Sequence, residues 1–98
     1  MENNQARTID ELGRLLIPSQ LRKELGLQKG DNLALAHIGT EVVMQRTQDG
    51  TSTTCPTCQI DFLGRIDLPA EIRQHMGWKE KDKISMRQLG NAIILKYT

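Results

Sequence analysis

Residues 10–22 read Asp10-Glu11-Leu12-Gly13-Arg14-Leu15-Leu16-Ile17-Pro18-Ser19-Gln20-Leu21-Arg22, and 51 positions on (61 − 10) the pattern returns as Asp61-Phe62-Leu63-Gly64-Arg65-Ile66-Asp67-Leu68-Pro69-Ala70-Glu71-Ile72-Arg73. With no gap the same shift aligns Ile9 with Ile60, Gly26 with Gly77, Asp31 with Asp82 and Gly39 with Gly90. Apolar positions are kept in kind, as in Leu21/Ile72, Leu33/Ile84, Leu35/Met86, Val42/Ile93 and Met44/Leu95, while polar positions drift. That is the mark of one folding unit used twice, each copy burying the same faces. The chain divides into a first copy over residues 7–46, a linker over 47–58 and a second copy over 59–97.

Each copy is about 40 residues, at or below the size where a lone core fails without disulfides, metals or association. The two copies must therefore share a core, within one chain as a pseudo-dimer or between chains as a homo-oligomer. Only 3% of residues are aromatic, so that core is built from Leu, Ile, Val and Met.

Within each copy the pattern predicts ββαββ. Thr8 to Leu12 and Leu15 to Ile17 read as a small hairpin turning at Gly13-Arg14, with the arginine at its tip. Pro18 suits the first helical position and Gly26 the position just past the end. Ile17, Leu21 and Leu25, like Leu68, Ile72 and Met76, fall four apart on one helical face, giving a two-turn amphipathic helix. Arg22 and Arg73 flank that stripe. Asp31 and Asp82 read as turn formers. Leu33–Ile38 with Glu41–Arg46, and Ile84–Leu89 with Ala92–Tyr97, read as second hairpins about Gly39-Thr40 and Gly90-Asn91.

Charge points nowhere by itself. Residues 1–49 carry six Lys/Arg against seven Asp/Glu and residues 50–98 seven against five, that is −1 and +2, summing to the net +1. Anion binding must come from where the basic residues sit. No apolar run approaches the roughly 20 residues of a membrane span, and the polar residues 1–6 do not resemble a signal peptide, so no membrane partner and a cytoplasmic location are expected.

Taken together, Asp-x-Leu-Gly-Arg, an apolar stretch, Pro, an amphipathic helix ending in Gly, an Asp-containing turn and a strand pair such as Asn91-Ala92-Ile93-Ile94-Leu95-Lys96-Tyr97 resemble the AbrB (SpoVT-AbrB, swapped-hairpin) family. Both copies match over nearly their whole length. The resemblance implies a mostly β fold with short helices, two ββαββ repeats interlocking their hairpins into one swapped-hairpin barrel. It also implies a prokaryotic, nucleoid-associated transcription regulator that binds double-stranded DNA. Residue by residue, the family's DNA-contacting arginine of the Gly-Arg turn falls on Arg14 and Arg65. Its helical basic pair falls on Arg22 and Lys23, but on Arg73 and Gln74 in the second copy. Its basic residue before the first strand falls on Arg7, whose second-copy counterpart is Cys58. These two lost charges imply an asymmetric DNA face, held more firmly by the first copy.

The residue types suit that role. A guanidinium is always charged, planar and able to donate two parallel hydrogen bonds to phosphate or guanine. The competing reading for Arg14 and Arg65 is a salt bridge to the equally repeated Asp10 and Asp61, and the two readings can coexist. For Arg22, Lys23 and Arg73 it is a solvated helix face.

Cys55 and Cys58 form a single Cys-x-x-Cys, half of a zinc site or a redox pair. His37 and His75 occupy unequal places in the two copies, which leaves two chains pooling four cysteines as the zinc arrangement open to this spacing. An inert linker pair is the simpler expectation, so neither cofactor nor metal is expected. Both histidines read as surface residues. No nucleophile and base stand at motif spacing and no Gly-rich phosphate loop is present, which argues against an enzyme. Two other classes stay open: an antitoxin-like protein-binding module, and an assembly module held by zinc.

Overall fold

The computed structural model describes residues 5–47 and 55–98; most of the predicted polar lead (1–4) and of the linker (48–54) lies outside the described residues. Strands β1 (Gln5–Thr8) and β2 (Arg14–Leu16), helix α1 (Ser19–Leu25) and strands β3 (Asn32–Ile38) and β4 (Glu41–Arg46) make the first repeat. Strands β5 (Thr57–Gln59) and β6 (Arg65–Asp67), helix α2 (Ala70–Met76) and strands β7 (Lys83–Leu89) and β8 (Ala92–Tyr97) make the second.

The long hairpins β3–β4 and β7–β8 form as expected, and β4 and β8 join them antiparallel at the centre of one sheet, with Val43 opposite Ile94. The first hairpin of each repeat differs from expectation. Strand β1 leaves its own repeat and pairs with β7, Arg7 opposite Ile84, while β5 pairs with β3, Cys58 opposite Leu33. The sheet therefore runs β1-β7-β8-β4-β3-β5, and β2 pairs with β6 in a separate ribbon. Each repeat donates its first strand to the other, so the interlock closes within one chain.

The strand predicted over Thr8–Leu12 ends at Thr8 because Asp10 folds the following residues into a turn. Its Oδ1 accepts the backbone N–H groups of Leu12 (2.9 Å) and Arg14 (2.8 Å), and Asp61 holds Leu63 and Arg65 in the same way. Arg14 thus opens β2 instead of sitting at a hairpin tip, and Arg7 lies inside β1 instead of before it. Two residues read as linker, Thr57 and Cys58, belong to β5.

Both helices follow the proline as capping residue and end on a glycine in the left-handed region, where Gly26 has φ 66° and Gly77 φ 73°. The backbone N–H groups of Leu27 and Trp78 then return to the carbonyls of Arg22 and Arg73, closing the last turn. The turn role of the aspartates holds as well: Asp31 accepts from Gln28 N–H and Asp82 from Lys79 N–H, each at 2.9 Å.

One aliphatic core fills the space between sheet, ribbon and helices, with Leu15, Ile17, Leu21, Leu33, Leu35, Met44 and their counterparts Ile66, Leu68, Ile72, Ile84, Met86 and Leu95 all buried. Both repeats contribute equivalent positions, which is why neither can be removed without opening it.

Candidate nucleic-acid interface

The β2–β6 ribbon organises the arginines. Leu15 and Ile66 face each other across it and are buried in the core. By strand alternation their neighbours Arg14, Leu16, Arg65 and Asp67 project from the opposite face. Arg14 stands opposite Asp67 and Arg65 opposite Leu16, so the two arginines are diagonal neighbours, about 7–8 Å apart at the backbone.

The helices bring two more. Arg22, on α1 of the first repeat, lies against Gly64 of the second, and Arg73, on α2, lies against Gly13. A Cβ built on Gly64 would stand 2.5 Å from Arg22 Cζ, and one on Gly13 would stand 3.0 Å from Arg73 Cζ. The glycine of each Gly-Arg pair is therefore favoured by positive φ (80° at Gly13, 82° at Gly64), and a Cβ there would in addition press on the end of the arginine from the other repeat.

All four guanidiniums are fixed the same way, through Nε alone. Arg14 Nε donates to Asp10 Oδ2 at 2.8 Å and Arg65 Nε to Asp61 Oδ2 at 2.9 Å. Arg22 Nε donates to the Ile17 carbonyl at 2.9 Å and Arg73 Nε to the Leu68 carbonyl at 3.2 Å. The terminal nitrogens of these four side chains donate to nothing among the described residues. They form preset pairs of cationic donors around two exposed turns.

The predicted salt bridge of Arg14 and Arg65 is thus real, and it leaves the outer edge of each guanidinium unused. Asp10 is held below its ordinary carboxylate range by the Arg14 backbone N–H first; burial, the next largest effect, pushes upward but is outweighed once the Arg14 guanidinium and the Leu12 N–H are added. At Asp61 burial is the largest single effect and pushes upward, but the Arg65 and Leu63 N–H groups and the Arg65 guanidinium together outweigh it. Both carboxylates are therefore charged partners at neutral pH.

The remaining predicted residues sit around this group. Lys23 is exposed on α1 beside Arg22. Arg7 is half-buried on edge strand β1, which packs on β2, and its guanidinium bonds locally to the Ala6 carbonyl and Gln5 Oε1. Cys58, at the equivalent place on β5, packs on the core, and burial together with the nearby Asp67 charge pushes its thiol up to about 12. Cys55 and Cys58 are not joined in a disulfide. No group of three or more His, Cys, Asp or Glu close enough to hold a metal occurs among the described residues. His37 and His75 are exposed, as expected, but they stack on each other with ring centroids 3.5 Å apart, an arrangement that sequence reading missed.

Sequence reading also missed the apolar tips beside the arginines. Phe62 is 74% exposed and Leu12 65%, on the two turns that Asp61 and Asp10 hold. The signal was present in the repeat, where an exposed turn position, Glu11, has an aromatic counterpart. No helix among the described residues is long and apolar enough to cross a membrane.

No protein-family model matches the chain. Over 95 aligned residues the chain is 33% identical to the Transcriptional regulator MraZ of Limosilactobacillus fermentum, with 76% of this chain and 66% of that protein covered. The chain thus spans about two thirds of the length of that relative. Among solved structures, the solution structure of PHS018 from Pyrococcus horikoshii superposes with a TM-score of 0.51 at 20% identity, covering 97% of this chain and 87% of that one. That likeness is one of fold. With its doubled unit and exchanged strands, the chain belongs to the AbrB (SpoVT-AbrB, swapped-hairpin) family, both units being carried in one polypeptide.

Proposed function

We propose that the chain is a transcription regulator of the AbrB type, which binds double-stranded promoter DNA through Arg14, Arg22, Arg65 and Arg73, with Arg7 and Lys23 at the margin. The observation that carries this is the shared anchoring of four guanidiniums by Nε, with their terminal nitrogens unused. Side chains fixed before binding lose less entropy on contact, and a planar fork suits both phosphate oxygens and guanine edges. A relative that carries the name of a transcriptional regulator supports the same reading. Regulation would follow from occupancy of DNA, with no chemistry done.

The face is unequal. Asp67 stands beside Arg14, whereas Leu16 stands beside Arg65, and Lys23 has Gln74 as its counterpart. Anionic DNA is repelled by Asp67 and attracted by Lys23. The α1 end of the face, where Arg22 and Lys23 meet Arg65, is therefore the stronger half.

The test is a fluorescence-anisotropy titration of DNA fragments with the native protein and an Arg22→Gln/Arg73→Gln variant of unchanged thermal stability. The proposal expects binding by the first and at least a tenfold loss in the second. Equal binding by both excludes these arginines.

A protein-binding module of the antitoxin kind is the second reading, favoured by the exposed apolar tips Leu12, Phe62 and Leu63. Its distinguishing result is a partner that co-purifies with the native protein and is lost on Phe62→Ser, with DNA affinity unchanged.

A further inference from the structure

The two repeats differ at one place where the first supplies its own ligand. Arg46, at the end of β4, reaches back to the end of α1, where its Nη1 donates to the Gly26 carbonyl at 3.0 Å and stands 3.4 Å from Asp31 Oδ2. The corresponding residue at the end of β8 is Tyr97, which has no cation to offer. The acceptors are nonetheless kept. Gly77 and Asp82 take the places of Gly26 and Asp31, and the Asp82 carboxylate is oriented by Lys79 N–H as Asp31 is by Gln28 N–H. Among the described residues no cation pairs with Asp82.

In front of these acceptors lies a cavity of about 460 Å³. In the first repeat the space beside Leu25, Leu27 and Arg46 is about 230 Å³. Trp78 and Tyr97, the chain's one Trp and one Tyr, both line the larger cavity, and so does His75, steadied by its stack on His37. Gly39 and Thr40 of the β3–β4 turn of the first repeat also line it, so this open cavity forms only when the repeats are interlocked.

An oriented carboxylate, a carbonyl and aromatic faces are what a guanidinium uses, by charge-assisted hydrogen bonds and by cation–π contact. We propose that this cavity is a binding site for a guanidinium group, held by Asp82 and the Gly77 carbonyl beside Tyr97 and the exposed rim of the core residue Trp78, in the place that Arg46 fills in the first repeat. The group comes from a small guanidinium compound or from an arginine of another copy of this chain. Lys79 also borders the cavity, where the first repeat has Gln28, and its charge weakens the site without blocking it, because an exposed lysine turns its ammonium to solvent.

Trp78 is the reporter. Intrinsic fluorescence, with the indole N–H resonance as a second readout, is followed while N-acetyl-arginine amide, N-acetyl-lysine amide or the uncharged N-acetyl-citrulline amide is added. The site predicts saturable binding of the arginine amide, roughly tenfold weaker binding of the lysine amide and none of the citrulline amide. Tyr97→Arg supplies the cation from within and abolishes binding, while Lys79→Gln tightens it. Sedimentation equilibrium in the same titration separates the sources. A mass that falls as the arginine amide is added identifies an arginine of a second copy; saturable binding at constant mass identifies a small ligand. Equal responses to the arginine and citrulline amides, or native binding by a folded Tyr97→Arg variant, overturns the proposal.

Discussion

The Arg22 guanidinium lies directly over Gly64, a residue of the other repeat, so closely that a Cβ on Gly64 would stand 2.5 Å from Arg22 Cζ and 2.7 Å from its Nε. This contact joins the architecture to the proposed function, since it sets a helix arginine beside the Gly-Arg turn that the partner repeat provides. Gly64→Ala is therefore expected to act on both. A left-handed backbone at a residue with Cβ costs about 1–3 kcal/mol, and the displaced arginine adds to that. Gly39, with φ 61° and nothing within 4 Å of its Cβ position, carries the backbone cost alone. Urea unfolding should rank Gly64→Ala as more destabilising than Gly39→Ala, and DNA affinity should fall only for the former. Equal stabilities would deny the contact.

Exchange of β1 and β5 predicts that neither repeat is a folded monomer. Fragments 1–50 and 51–98 should each lack a cooperative unfolding transition as monomers. Mixed at equal concentration, they should recover the β-sheet circular dichroism of the whole chain. A monomeric fragment that unfolds cooperatively would contradict the shared core.

Acid should loosen the two Asp-Arg turns. Folding lowers the Asp10 and Asp61 pKa values from 3.8, so both carboxylates bind protons more weakly in the folded state than in the unfolded one. The stability they add is fully present above pH 3.8 and is lost as pH falls through the lower folded values. Asp10→Asn/Asp61→Asn should be less stable than native at pH 7, by about 1 kcal/mol per site. The difference should shrink as the pH falls below 3.8. A pH-independent difference would mean that the carboxylate charge plays no part.

The two thiols should differ. A thiol raised to about 12 by burial and by Asp67 is almost entirely protonated at pH 8, and it is the thiolate that reacts. Mass spectrometry after iodoacetamide treatment of the native protein at pH 8 should find Cys55 alkylated well before Cys58. Asp67→Asn should speed Cys58 modestly, because burial is the larger cause. Equal rates at the two cysteines would show that β5 does not pack as described.

The helices and long hairpins were legible because their signals are local. Pro18 and Gly26 bracket α1 to within a residue, and Glu41–Arg46 and Ala92–Tyr97 match β4 and β8 residue for residue. Duplication also revealed that two units must share a core. The choice of partner was implied by the family resemblance, with its interlocked hairpins, and not by the residue pattern. Nothing near Arg7 in the sequence says that it pairs opposite Ile84, and a β1 bonded to β2 would satisfy the same alternation. The exchange is fixed instead by Asp10, which turns the chain away after Thr8, and by the Ile9 N–H, which donates to the Asp82 carbonyl of the other repeat at 3.0 Å. The candidate arginines stand out in the sequence by type, by repetition and by the family resemblance. Their anchoring through Nε and the crossing of Arg22 and Arg73 onto the opposite turns needed three dimensions, as did the His37–His75 stack, whose members have no repeated counterparts.

DNA affinity measured across a salt series distinguishes an arginine-held complex from any other. Each phosphate neutralised adds about 0.9 to the magnitude of the slope of log K against log salt. The native protein should bind with a steep negative slope, and Arg22→Gln/Arg73→Gln should reduce its magnitude by up to about 1.8 if both arginines neutralise phosphates. A native slope near zero, or one unchanged in a folded double variant that binds as tightly as the native protein, would contradict the claim that these preset arginines hold DNA.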